Sequence, residues 1–82
     1  MKGDAMSERI TNETLSARTH NLNRRLKAAD RCVVYQARNG HIGLDEGRPS
    51  DGAIIRTLTV GTKREVAEFL HAMMVGIDMA RA

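Results

Sequence analysis

With 82 residues the chain has room for one small domain, and its single cysteine, Cys32, excludes a disulfide within the chain. It contains no secretory signal and no run of about 18 apolar residues, so we expect a cytoplasmic protein with no membrane partner. The net charge of +3 is concentrated in the first half. Residues 1–40 carry eight Lys and Arg against four Asp and Glu, whereas residues 41–82 carry five against six. This bias favours an anionic partner.

The first predicted element is a helix between residues 11 and 29. Thr11 or Asn12 is a candidate N-cap, because both side chains accept hydrogen bonds from helix N–H groups. The apolar stripe of this helix is narrow and consists of Leu15, Leu22, Leu26 and Ala29. Several positions between them are poor helix formers, so packing must hold the helix. Residues 1–10 are predicted to be a flexible N-terminus, and residues 11–82 to form a single domain.

Asn39-Gly40 predicts a two-residue hairpin turn, because a type I′ turn needs positive φ at both central positions. Such a turn sets the register of the flanking strands and pairs Arg38 with His41. One face of the hairpin is then apolar and is expected to face the core; it carries Val33, Tyr35, Ala37, Ile42 and Leu44. The opposite face is mostly polar.

The stretch EGRPSDG is rich in turn residues and predicts a long, mobile connection to a third strand, AIIRTLTV. In that strand Ile54, Leu58 and Val60 alternate onto one face. Arg56 shares the same face, although a charged residue does not belong in a core. We therefore expect a β-bulge or an edge position near Arg56.

Thr62-Lys63-Arg64-Glu65 matches a capping box, so the second helix is predicted to begin at Lys63 and to run to about Ala80. Its broad apolar face suits a helix laid across a sheet. On the opposite side lies a second small apolar row, which is a candidate homo-oligomer contact or else a scatter of exposed apolar residues that a surface tolerates; it consists of Ala72, Val75 and Met79. The predicted fold is α+β, with the order helix, three-stranded antiparallel meander, helix (αβββα), in a two-layer sandwich.

Residue types that carry catalysis or bind metals do not converge in this fold. The hairpin register separates Cys32 from His41 by roughly 20 Å along the sheet. His20 and His71 lie on separate helices, and the adjacent carboxylates of the second strand point to opposite faces. We therefore predict no enzyme activity, no metal and no cofactor.

The candidate binding groups are cations and their neighbours. At the corner between the third strand and the second helix, helix N–H groups and two cations suit a phosphate or a carboxylate, although a plain capping box is the other interpretation. The cations of the first helix surround it without forming one row, which argues against duplex binding. The candidate contacts to an anion or partner are Arg18, Arg24, Arg25, Arg38, His41, Arg56, Thr62, Lys63 and Arg64.

From Tyr35 to Ala80, the strings YQARNGHIGLD and IIRTLTVGTKREVAEFLHAMMVGI resemble small uncharacterised proteins encoded by phages and prophages. The shared features are a tyrosine-bearing hairpin, a GTKRE-type corner and a hydrophobic final helix. The resemblance implies a mobile-element origin and residence in the host cytoplasm. We expect a protein that acts by binding, in counter-defence or host takeover, by sequestering an anionic nucleotide or engaging an acidic host-protein surface.

The predicted element order also resembles that of double-stranded-RNA-binding domains, in which basic residues at the start of the second helix contact phosphate. Lys63 and Arg64 stand at the matching positions. The acidic residues of this helix depart from the basic pattern of those domains. Nucleic-acid binding is therefore the alternative prediction.

Overall fold

The computed structural model describes residues 10–81, and within them it has the predicted αβββα order. Residues 1–9, residue 82 and the side chain of Arg38 lie outside the described part, and most of the predicted flexible N-terminus lies there with them. Ile10 is described and packs against the core. The elements are α1 (Asn12–Leu26), a 3₁₀ turn (Lys27–Ala29), β1 (Cys32–Arg38), β2 (His41–Arg48), β3 (Ala53–Gly61) and α2 (Lys63–Arg81).

The three strands form an antiparallel sheet in the order β1-β2-β3. Asn39 and Gly40 have φ angles of 46° and 83°, and the pairing of Arg38 with His41 follows directly from this turn. The predicted register is confirmed along the whole of β1. Ala37, predicted to face the core, is exposed, because it lies beside the hairpin tip and beyond the buried cluster.

The connection between β2 and β3 is a tight turn over residues 49–52, so the prediction of a long connection is wrong. Both strands extend further than their turn-rich composition indicated. The Gly52 N–H donates to Arg48 O at 2.8 Å, and the Arg48 guanidinium pairs with the Asp51 carboxylate at 2.9 Å. Asp51 also accepts a hydrogen bond from Ala53 N at 3.0 Å, which starts the next strand.

Two register shifts interrupt the pairing of β2 with β3, one of them beside the Glu46–Arg56 pair. The predicted bulge and edge position near Arg56 are therefore confirmed. Each bulge also reverses which side chains face the helices. As a result Leu58 packs against the core, whereas Ile54 and Val60 are 53% and 56% exposed, so the prediction that these three share one buried face is wrong.

Both helices pack on the same face of the sheet and enclose the core. Its buried side chains are Leu15, Leu22, Val33, Ile42, Leu44, Val66, Ala67 and Leu70. Arg18 Nη1 donates to Ala67 O at 2.9 Å and joins the two helices. The Thr11 side chain caps α1 by accepting from Thr14 N. The predicted capping box starts α2, with Glu65 N donating to Thr62 Oγ1 at 3.1 Å and Thr62 N to Glu65 Oε1 at 2.8 Å.

Asn23, a poor helix former, ties α1 to the outer edge of β1. Its Oδ1 accepts from Val33 N at 2.7 Å, and its Nδ2 donates to Val33 O at 3.1 Å. We expect Asn23→Ala to lower the free energy of unfolding by about 1–3 kcal/mol, because part-buried backbone groups lose their partners. Asn21→Ala is the matched control in urea denaturation, since that side chain is exposed on the same helix. Equal changes in the two variants would contradict this role of Asn23.

Candidate functional site

A groove of about 380 Å³ lies between α1, the start of β1 and the β2–β3 turn. It is lined by His20, Asn23, Arg24, Lys27, Arg31, Cys32 and Pro49. Four of these seven residues are basic and none carries a carboxylate, within the part of the chain that the structure describes, although the surface they present to the groove is mostly apolar. We call this site the helix-1 groove.

The helical spacing of three basic residues, two on α1 and one at the start of the 3₁₀ turn, places them on one side of the groove. His20, Arg24 and Lys27 follow at i, i+4 and i+7, which brings them onto one face of a helix. All three side chains are exposed. Arg18 and Arg25 contact α2 instead, so of the four cations of this segment Arg24 and Lys27 line this groove.

The connection between α1 and β1 builds the other side of the groove. Asp30 adopts the left-handed conformation, with φ 56° and ψ 47°, and its N–H donates to Lys27 O at 3.0 Å. Its carboxylate then accepts from Ser50 Oγ at 2.6 Å and from Ser50 N at 3.1 Å. These bonds hold the β2–β3 turn against α1, and they bring Pro49 to the groove.

Arg24 and Lys27 have no carboxylate partner within residues 10–81. Arg31 differs, because its Nε donates to Glu46 Oε2 at 3.1 Å. Glu46 also accepts from Arg56 Nε at 2.6 Å. The hydrogen bond from Arg56, with the charges of both arginines, lowers the pKa of Glu46. Glu46 is therefore ionised at neutral pH, and one carboxylate is shared by two guanidinium groups.

A second basic groove, of about 520 Å³, lies between the helices and is lined by Asn21, Arg24, Arg25, Met74, Asp78 and Arg81. We call it the interhelical groove. Arg25 pairs with Asp78 at 2.8 Å, and this hydrogen bond lowers the pKa of Asp78. Arg81 Nη2 donates to Arg25 O at 2.7 Å. Arg24 lines both grooves.

The remaining predicted site residues lie elsewhere. Arg18 and Arg56 have partners within the chain, as described above. His41, Thr62, Lys63 and Arg64 lie at the opposite end of the sheet, where Ile42 pairs with Gly61. The Glu65 carboxylate accepts from Thr62 N at that corner and supplies the negative charge that a bound anion would bring.

Four residues of the helix-1 groove were not among the predicted site residues: His20, Lys27, Arg31 and Pro49. The spacing of the first two from Arg24 was a readable signal, because it is a helical repeat. No comparable signal existed for Arg31 and Pro49. Their positions depend on the turn at Asp30 and on its contact with Ser50, which are far apart in sequence.

The predicted oligomer row of α2 is exposed, with Val75 at 41%, Met79 at 73% and Ala72 also accessible. Neither helix in the described part of the chain combines the length and apolarity needed to cross a membrane. Comparisons with protein-family models, with curated proteins and with solved structures found no match to this chain. The proposals below therefore depend on geometry and charge.

Proposed function

We propose that the protein is a non-enzymatic binding protein that holds an anionic nucleotide in the helix-1 groove, as an accessory protein of a phage or another mobile element. One observation carries this proposal. Arg24 and Lys27, which have no carboxylate partner within residues 10–81, line one groove together with Arg31, and no described residue of that lining carries a carboxylate. Uncompensated cations in a concave site attract anions more strongly than scattered surface cations.

The shape of the groove favours a small ligand over an acidic protein surface. Its volume lies within the range of roughly 300–1,000 Å³ typical of small-molecule sites. Cys32 and Pro49 offer apolar surface on which a planar base can rest, and the Arg31 guanidinium offers a stacking plane. Arg24 and Lys27 stand beside them to contact the phosphate. To contact an acidic protein surface, cations would have to protrude from the molecule and not line a cleft.

A protein that sequesters a nucleotide needs affinity and abundance, and it needs no catalytic group. The accessory role and the mobile-element origin belong to the proposal through the resemblance of residues 35–80. Assembly through Ala72, Val75 and Met79 would multiply the number of grooves in one particle.

The experiment is calorimetric titration of the purified protein with adenosine monophosphate, inorganic phosphate and adenosine, at 50 mM and at 300 mM salt. We expect the monophosphate to bind most tightly, with an affinity that falls as salt rises. Adenosine alone tests the base contact, and phosphate alone tests the cations. Absence of binding at 50 mM salt for all nucleotides, including the guanine, cytosine and uracil monophosphates, would reject the proposal.

Duplex RNA binding is the second candidate function, and the αβββα order together with one further observation supports it. The hairpin tip at His41 and the start of α2 at Lys63 lie together at one end of the sheet. Lys63→Glu combined with Arg64→Glu should then abolish duplex binding and leave nucleotide binding unchanged. The capping box of Thr62 and Glu65 remains, so the fold should persist. An RNA duplex that binds wild type and this variant equally would exclude the corner as its site.

A further inference from the structure

We infer that the ligand is longer than one nucleotide: a short single-stranded oligonucleotide that crosses Arg24 from the helix-1 groove into the interhelical groove. This inference rests on the proposed function and adds the class of ligand. Arg24 is the residue common to the linings of both grooves, so its side chain borders both sites. In a chain of nucleotides, successive phosphates could occupy the two grooves.

The charge of the combined surface exceeds what one phosphate neutralises. Among the described residues, the two grooves together are lined by five cations, Arg24, Arg25, Lys27, Arg31 and Arg81, and by one carboxylate, Asp78. Arg31 is also paired with Glu46, which it shares with Arg56. The contacts of Arg18 with Ala67 and of Arg25 with Asp78 show that the helices run parallel, so both C-termini lie at this end. Each C-terminus contributes roughly half a negative charge, so the surface keeps between roughly two and three positive charges.

The cations of the interhelical groove are already positioned. Arg25 Nη1 donates to Asn21 O at 2.9 Å, and its Nε is paired with Asp78. Arg81 is held by the carbonyl of Arg25. Side chains that are ordered before binding lose less entropy when a phosphate arrives. A second phosphate that binds in this groove therefore contacts side chains that are already ordered.

Each groove also has cations that the other lacks. Lys27 and Arg31 line the helix-1 groove, whereas Arg25 and Arg81 line the interhelical groove. Successive phosphates of one strand could contact both sets of cations, with a base lying on Pro49 and Cys32.

The experiment compares adenosine monophosphate, adenosine triphosphate and 5′-phosphorylated tetraadenylate RNA by calorimetry on the full chain. The triphosphate carries its charge at one place and controls for charge without length. We expect the tetranucleotide to bind about tenfold more tightly than the triphosphate. Arg81→Glu should weaken tetranucleotide binding by about tenfold and leave the monophosphate unchanged, the size expected for one charge-assisted hydrogen bond.

Asp78→Asn is the opposing variant and should strengthen tetranucleotide binding several-fold, an effect that misfolding cannot produce. A tetranucleotide that binds no more tightly than the triphosphate would overturn the inference, and so would an Arg81→Glu variant that weakens both ligands equally. In either case monophosphate binding would leave the proposed function standing. If no nucleotide binds, both this inference and the proposed function are rejected.

Discussion

Replacing Arg24 and Lys27 together by glutamate is expected to abolish nucleotide binding, with a loss of at least about a hundredfold in affinity. Each residue supplies a charge-assisted hydrogen bond to phosphate in the proposed complex, and two such bonds account for that factor. The substitution also places two anions beside the ligand. Calorimetric titration with adenosine monophosphate at 50 mM salt measures the effect.

Two controls separate a local effect from a change in overall charge or stability. Lys63→Glu with Arg64→Glu changes the net charge equally at the opposite end of the sheet, and it should leave nucleotide affinity within about twofold. Arg24→Gln with Lys27→Gln removes the cations without adding anions near the C-terminus of α1, where acidic residues are unfavourable. If the two double-glutamate variants lose nucleotide affinity equally, then the overall charge of the protein, and not the groove, attracts the nucleotide.

Leu44→Ala is expected to cause the largest loss of stability, about 2–5 kcal/mol. Leu44 lies on the central strand under both helices and is fully buried. Small domains of this kind have only about 5–15 kcal/mol in total, and an 82-residue chain belongs near the lower end. We therefore expect a markedly lower urea midpoint and partial unfolding at 37 °C. Circular dichroism during urea titration measures both.

Ile54→Ala is the matched control for Leu44→Ala. Ile54 lies on β3 and is 53% exposed, so its truncation should change the free energy of unfolding by no more than about 0.5 kcal/mol. Suppose that Ile54→Ala lowers the free energy of unfolding as much as Leu44→Ala does, and that this loss grows with protein concentration. A second copy of the chain would then cover the outer face of the sheet. A small cost in both variants would contradict the assignment of Leu44 to the core.

The accurate sequence predictions concern features that depend on neighbouring residues. Asn39-Gly40 determines a turn and therefore the pairing of a whole strand, because positive φ is accessible to both residues. Thr62 and Glu65 determine a helix start, because they satisfy each other's backbone N–H groups. Both features need no information from distant parts of the chain.

The inaccurate predictions concern features that depend on contacts between distant residues. Alternation placed Ile54, Leu58 and Val60 on one face, but two bulges in the pairing with β2 changed that order. Composition predicted a long connection over EGRPSDG, yet the side chain of Asp30 holds Ser50 twenty positions away. The bulges have no signature within the third strand, and the contact of Ser50 with Asp30 has none within the turn, although bonds among Arg48, Asp51 and Gly52 close the turn locally.

From the sequence alone, the chain was determined to be an αβββα domain with a basic N-terminal half, a set hairpin register and a defined start of α2. The tertiary structure decided which cations act together. Arg24 belongs to α1, Lys27 to the 3₁₀ turn, Arg31 to the approach to β1 and Pro49 to the β2–β3 turn. The left-handed Asp30 with its bonds to Ser50 brings them around one groove. Local propensity determines turns and helix ends, whereas a binding surface arises where separate elements pack.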